Sequence, residues 1–238
     1  MRRDRIGRLL VVVCVAISAG LLASRGQADE GGKSSRPASP TLPQVPEGYL
    51  LVEDDVWFQL ADEPDRHFLE ARRDYLRDKP VEAAAAILKA TAVLKLATAH
   101  AQGDAKKPLQ ASILELETLA AKLAHDNVHA AKSLDRIFGR SFVALAYYNE
   151  AEARRHLQGE EPEKAARHLR ASSRDVMHAA VWRGTELEDN ILHALGDLEK
   201  AASRLMSQEA KNFTDGVKSL EVIHDYLEKL QALEKAAE

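Results

Sequence analysis

The chain has 238 residues, with 33 Lys plus Arg against 37 Asp plus Glu, nine histidines and a single cysteine. One cysteine rules out an intrachain disulfide framework and a multi-thiolate metal centre. The acidic balance argues against sequence-independent nucleic-acid binding, which rests on neutralising phosphates, and the length suits one sizeable domain.

Arg2, Arg3, Arg5 and Arg8 form a basic start to the apolar run Leu9 to Leu22, and Gly26-Gln27-Ala28 then offers small groups ahead of a cut. This is the layout of a secretory signal peptide over residues 1–28. The run is shorter than the roughly 18–20 apolar residues that a membrane-spanning helix needs, so cleavage is the expectation and a retained anchor the alternative. Cleavage after Ala28 places the protein in the periplasm or outside the cell. It also removes Cys14, leaving 28 basic against 36 acidic residues. No later stretch is apolar enough to cross a membrane.

Residues 29–47 carry Pro37, Pro40, Pro43 and Pro46 among Ser, Gly and charged residues. Such a segment buries too little apolar surface to offset its ordering entropy and reads as a flexible tether. Residues 48–238 form the folded part. It opens on Tyr49-Leu50-Leu51-Val52 and Val56-Trp57-Phe58, an extended or irregular strap that would lay Trp57 onto the domain.

Asp62-Glu63-Pro64 opens the first helix with acidic groups at its positive end; it runs to about Arg77. Asp78-Lys79-Pro80 makes a turn, the second helix reaches about Ala101, and Gly103 to Pro108 breaks it. The third helix shows a stripe of Leu109, Ile113, Leu116, Ala120 and Leu123 in alternating steps of four and three. A long helix from about Val128 to Gln158 turns Leu134, Phe138, Phe142 and Leu145 inward. Gly159 to Pro162 is a second tight turn. Helices come next at about 163–183, 186–209 and 213–236, the last with Leu220, Ile223, Leu227 and Leu230 inward. No segment shows the period-two alternation of a strand. The expectation is an all-α antiparallel bundle of about seven helices.

The bundle also reads as two copies of one unit. Glu70-Ala71-Arg72-Arg73 recurs as Glu152-Ala153-Arg154-Arg155, and at the same offset of 82 residues Pro80 falls on Pro162 and Leu116-Glu117 on Leu198-Glu199. The stripe of the third helix recurs as Ile191, Leu195, Leu198, Ala202 and Leu205. Repeat units of about 64–126 and 146–208 result from this alignment.

Few residues point to chemistry. His125 and His129 stand four apart, the spacing that puts two imidazoles on one helix face for a metal, although Asp126 and Asn127 between them favour a turn. Glu221-Val222-Ile223-His224 matches one Glu-x-x-His unit of a di-iron bundle, for which a second unit is missing; Asp126 with His129 and Asp175 with His178 are the nearest substitutes. These make His125, His129, Glu221 and His224 the metal candidates. Glu70, Arg72 and Arg73 with Glu152, Arg154 and Arg155 form either an anion- or peptide-binding face or salt-bridged helix surfaces. The chain has no phosphate-cradling glycine loop, His-Glu-x-x-His or Gly-x-Ser-x-Gly motif, so no catalytic residue and no cofactor is assigned. His100, His168, His178, His193 and His224 lie beside apolar helix positions. Any of them held neutral by packing would make the fold sensitive to mild acid.

From Gly159 through Leu205, the run Gly-Glu-Glu-Pro-Glu-Lys-Ala-Ala-Arg-His-Leu-Arg and the helical residues after it resemble the YfdX family of exported bacterial helical proteins, with an echo at 74–100. The proline-rich tether and the Trp57 strap depart from that family. The resemblance implies an all-helical, non-enzymatic envelope protein linked to stress responses or chaperone-like activity. The functional expectation is therefore an exported, non-catalytic helical bundle acting through a protein partner or a homo-oligomer. The alternative is a histidine-dependent metal or small-ligand binder.

Overall fold

The computed structural model describes residues 11–14, 49–52, 63–125, 130–207 and 214–236. The tether, the Val56-Trp57-Phe58 half of the strap and His129 lie outside the described residues. The chain divides into two units, Met1–Asp54 and Asp55–Glu238.

In the first unit, β1 (Val11–Cys14) pairs antiparallel with β2 (Tyr49–Val52), Val11 opposite Val52 and Cys14 opposite Tyr49. The sequence expectation held no strand. Both tetrapeptides are continuous apolar runs, which carry no alternation for a period test to find, and β1 is rich in the β-branched residues that suit a pleated backbone.

The second unit is an all-α bundle. Its helices among the described residues are α1 (Glu63–Leu76), α2 (Pro80–His100), α3 (Lys106–Ala124), α4 (Ala131–Gln158), α5 (Pro162–Arg183), α6 (Asp189–Met206) and α7 (Thr214–Ala236). None is long and apolar enough to cross a membrane. Each helix packs on the next in the chain, and both α1 and α7 also reach α4, which makes the long α4 the central member.

The leucine stripes drive this packing. Leu109, Leu116, Ala120 and Leu123 on α3, all five stripe positions of α6, and Leu220, Ile223, Leu227 and Leu230 on α7 are buried. Each fully buried leucine is worth about 1.5–3 kcal/mol. Ile113 is the exception, half-buried while Ser112 beside it is buried. Aromatic rings extend the core: Phe68 of α1 stacks on Phe138 of α4 at 4.2 Å, and Trp182 of α5 meets Phe138 edge-on at 5.1 Å. Such pairs add about 0.5–1.5 kcal/mol beyond their area.

The contact between α4 and α5 is the most extensive in the bundle. Small residues allow the close approach: a Cβ on Gly139 would lie 2.7 Å from Arg183 Cγ and 3.5 Å from the Ala179 carbonyl. Ser172 Oγ donates to the Ala146 carbonyl at 3.2 Å. The helix α3 begins before Pro108, earlier than expected, after a 3-10 turn at Gly103–Ala105. A proline in the first helical turn loses no hydrogen bond, because that N–H has no intrahelical partner.

The turns before α2 and α5 share one geometry. Asp78 and Glu160 adopt left-handed φ of 59° and 56°. The N–H of the next residue closes back onto the last turn of the helix, Lys79 to the Asp74 carbonyl at 3.0 Å and Glu161 to the His156 carbonyl at 2.9 Å. This is a Schellman closure, with a proline in both cases at the start of the next helix.

Candidate functional site

Two features stand out from the leucine packing, and both involve α4. One is a buried polar layer where α4 meets α5 across the second tight turn. The other is a cleft between α3, α4 and α7.

The polar layer is wired from one carboxylate. Asp175 Oδ2 accepts from Asn149 Nδ2 at 2.7 Å, which orients the amide and leaves its oxygen to face His168 Nδ1 at 2.8 Å. A carboxylate can only accept here, so the amide oxygen must in turn accept, and Nδ1 of His168 carries the proton. In a neutral imidazole the lone pair then sits on Nε2. His156 is set in the same way: its Nδ1 lies 2.5 Å from Glu161 Oε2, and its Nε2 lies 2.9 Å from Arg155 Nη2. The guanidinium donates to Nε2, and Arg155 also pairs with Glu152. His156 and His168 stack with ring centroids 5.3 Å apart.

Glu152, His156 and His168 are all buried, and one ligand atom from each lies within 4.8 Å of the others. Burial pushes the pKa of His168 down from 6.5 to about 3, with the positive charges of Arg155 and Lys164 acting in the same direction. His168 is thus the neutral form that a cation would bind.

The cleft has a volume of 770 Å³. Ala105, Pro108, Ala111, Val143 and Ala144 give it an apolar lining, and Tyr147, Glu150, His224 and Glu228 one wall. Several of its charged groups pair with one another, although the buried Nε of Arg140 has no hydrogen-bond partner among the described residues. Arg140 pairs with Glu115 at 3.1 Å, and His224 Nδ1 lies 3.0 Å from Glu150 Oε2. Tyr147 donates its hydroxyl to Glu228 at 2.6 Å. Burial, with the Glu228 carboxylate beside it, holds that hydroxyl protonated well beyond the usual tyrosine range.

The sequence candidates fall elsewhere than the three-residue cluster. His125 is exposed at the end of α3, and its companion His129 is outside the described residues. Glu221 is exposed on α7, whereas His224 reaches the cleft and Glu150. Asp175 orients Asn149, while His178 stacks on Phe142 at 4.9 Å and lies 3.3 Å from Asp65. The arginines of the repeated tetrapeptide each meet a carboxylate: Arg72 with Asp135 at 2.8 Å, Arg73 with Asp74 at 3.5 Å, Arg154 with Glu150 and Arg155 with Glu152. The Arg72 and Arg73 pairs are exposed or half-exposed and contribute little stability each, whereas Glu150 and Glu152 are buried carboxylates that would be left uncompensated without their arginines.

No family model, curated protein or solved structure matches this chain.

Proposed function

We propose that this chain is an exported, non-catalytic helical-bundle protein that works by holding a segment of a protein partner. The observation that carries the reading is the 770 Å³ cleft. It lies within the usual size range of sites that bury a ligand group. Its apolar lining offers contact area, and the Glu150–His224 and Glu115–Arg140 pairs hold the charges beside it. Export is supported by the basic start and apolar run of residues 1–28, and the resemblance to the YfdX family belongs to the same proposal. The two units 64–126 and 146–208 are read as copies of one ancestor; the matched Schellman turns and the burial of both Leu116 and Leu198 support that reading.

Ala111 is exposed on α3 and lines the cleft, so Ala111→Arg should fill the space without disturbing the core. Native mass spectrometry of the protein purified from its own envelope is expected to show a second polypeptide, or a second copy, on the native chain. The Ala111→Arg chain should lose it with its melting temperature unchanged. The same spectrum reports whether the mature chain begins near Asp29. A native chain that carries no polypeptide, or a complex that survives Ala111→Arg, would overturn the cleft reading.

A further inference from the structure

We infer that Glu152, His156 and His168 form a binding site for a divalent transition-metal ion, and that Arg155 occupies the cation position in the metal-free protein. The donor set is two imidazoles and one carboxylate, as at His₂Glu zinc sites. Each imidazole has its Nδ1–H directed at an oxygen, Glu161 Oε2 for His156 and Asn149 Oδ1 for His168. That arrangement is how proteins fix a metal-ligating histidine, since it sets the tautomer and places the lone pair on Nε2. Asp175 extends the support one step further through Asn149.

The separation agrees with an open, metal-free state. The ligand atoms lie within 4.8 Å of one another, whereas around a tetrahedral ion with bonds of about 2.0–2.1 Å they would stand ~3.3 Å apart. The closure needed is at most ~1.5 Å, and smaller between His156 Nε2 and Glu152 Oε2, which already stand 3.8 Å apart. Arg155 bridges two of the three groups: it pairs with Glu152 and donates to His156 Nε2 at 2.9 Å. Its side chain is 38% exposed against 6% for Glu152, so the guanidinium can move into solvent while the ligands stay buried. A dication then replaces a monovalent cation beside the same carboxylate.

The chemistry also selects the ion. Imidazole with carboxylate suits Zn²⁺, Co²⁺, Ni²⁺ or Cu²⁺ better than Mg²⁺ or Ca²⁺, which prefer all-oxygen shells. The site joins α4 to α5 beside the second tight turn, so the bound ion would act as a staple between two helices. At the first turn the equivalent positions, by the offset of 82, are Glu70, Asp74 and Ala86. The first unit lacks both imidazoles and would not bind.

The metal site shares no residue with the cleft lining, so Ala111→Arg should leave metal binding intact. The full mature chain, stripped with a chelator, is titrated with Co²⁺ and then Zn²⁺. One equivalent of Co²⁺ should give the visible absorption of a low-coordinate nitrogen–oxygen site, Zn²⁺ should displace it, and Zn²⁺ should raise the melting temperature. His156→Ala and Glu152→Gln should each abolish the absorption while circular dichroism shows the helical content unchanged. Asn149→Ala should weaken binding about 10- to 100-fold by releasing the His168 ring. Arg155→Gln should tighten it, a gain that a purely structural cluster would not produce. Absence of stoichiometric Co²⁺ binding would overturn the site, as would binding that survives both His156→Ala and Glu152→Gln. Unchanged or weaker binding in Arg155→Gln would overturn the role of the guanidinium.

Discussion

Burial at His168 strips water from an imidazole near the positive charges of Arg155 and Lys164, and the pKa falls from 6.5 to about 3. In the metal-free protein the unfolded chain therefore binds a proton below pH 6.5 that the folded chain refuses until about pH 3. Stability is intact above the unfolded value and is lost as the pH falls toward the folded one, at about 1.4 kcal/mol per pH unit. By pH 5 the loss should reach about 2 kcal/mol. Thermal unfolding of chelator-treated protein at pH 7.5 and 5.0 checks this: the melting temperature should drop in acid, and His168→Gln should remove that part of the drop. Equal drops in the two chains would mean that other groups carry the acid sensitivity. Much of this site is readable from residue positions once the turn is placed. His156 and His168 stand six residues to either side of Pro162, and Asn149 and Asp175 thirteen, so an antiparallel hairpin sets each pair face to face. A search for metal ligands spaced within one helix selects His125 with His129 and Glu221 with His224 instead, because pairing across a hairpin depends on a register that only the turn supplies. The tautomers and the place of Arg155 depend on side-chain geometry that no spacing encodes.

Helix ends show the same division between what pattern reveals and what geometry adds. The prolines and the tight turns before α2 and α5 are legible in the sequence, as are the stripes of α6 and α7. The left-handed position is not. Gly159 invites assignment as the residue with positive φ, yet its φ is −83° and Glu160 takes the left-handed conformation at 56°. The register of the Schellman closure decides this, because Glu161 N–H must reach the His156 carbonyl and so fixes the preceding residue as the one that reverses the chain. At the end of α5 the same duty falls on Gly184 with φ 63°, where Thr185 N–H closes to the Ala180 carbonyl at 3.0 Å. A side chain in that region costs about 1–2 kcal/mol relative to its ordinary conformations, and glycine escapes the cost at the expense of more unfolded-state freedom. Glu160→Gly should thus raise stability by about 0.5–1 kcal/mol, measured by denaturant unfolding at neutral pH. A decrease would show that the Glu160 side chain contributes more than its backbone strain removes.

At the scale of the whole bundle, the question is whether the two proposed units behave as two folding bodies or one. Their leucine stripes sit in separate surroundings. Leu116 lies on α3, which packs on α2 and α4, and Leu198 on α6, which packs on α5 and α7. Both are fully buried, so each truncation to alanine removes comparable apolar contact and should cost about 2–5 kcal/mol. The long α4 belongs to both surroundings. Its Phe138 and Phe142 pack with Phe68 of α1, and Asn149, Glu152 and His156 from its second half build the polar layer against α5. A helix of 28 residues from Ala131 to Gln158 cannot keep one half ordered against α1 and α3 while the other half melts without breaking its own hydrogen-bond ladder. Unfolding should therefore be a single cooperative transition. Leu116→Ala and Leu198→Ala should each displace that one transition, and the double variant should show close to the summed loss, as distant sites with separate partners do. Calorimetry with far-ultraviolet circular dichroism would follow the whole bundle, and Trp182 fluorescence, read in a Trp57→Phe background, would follow α5. If Leu116→Ala lowers one transition and leaves a second in place at the melting temperature of the native chain, the copies fold independently and α4 does not couple them.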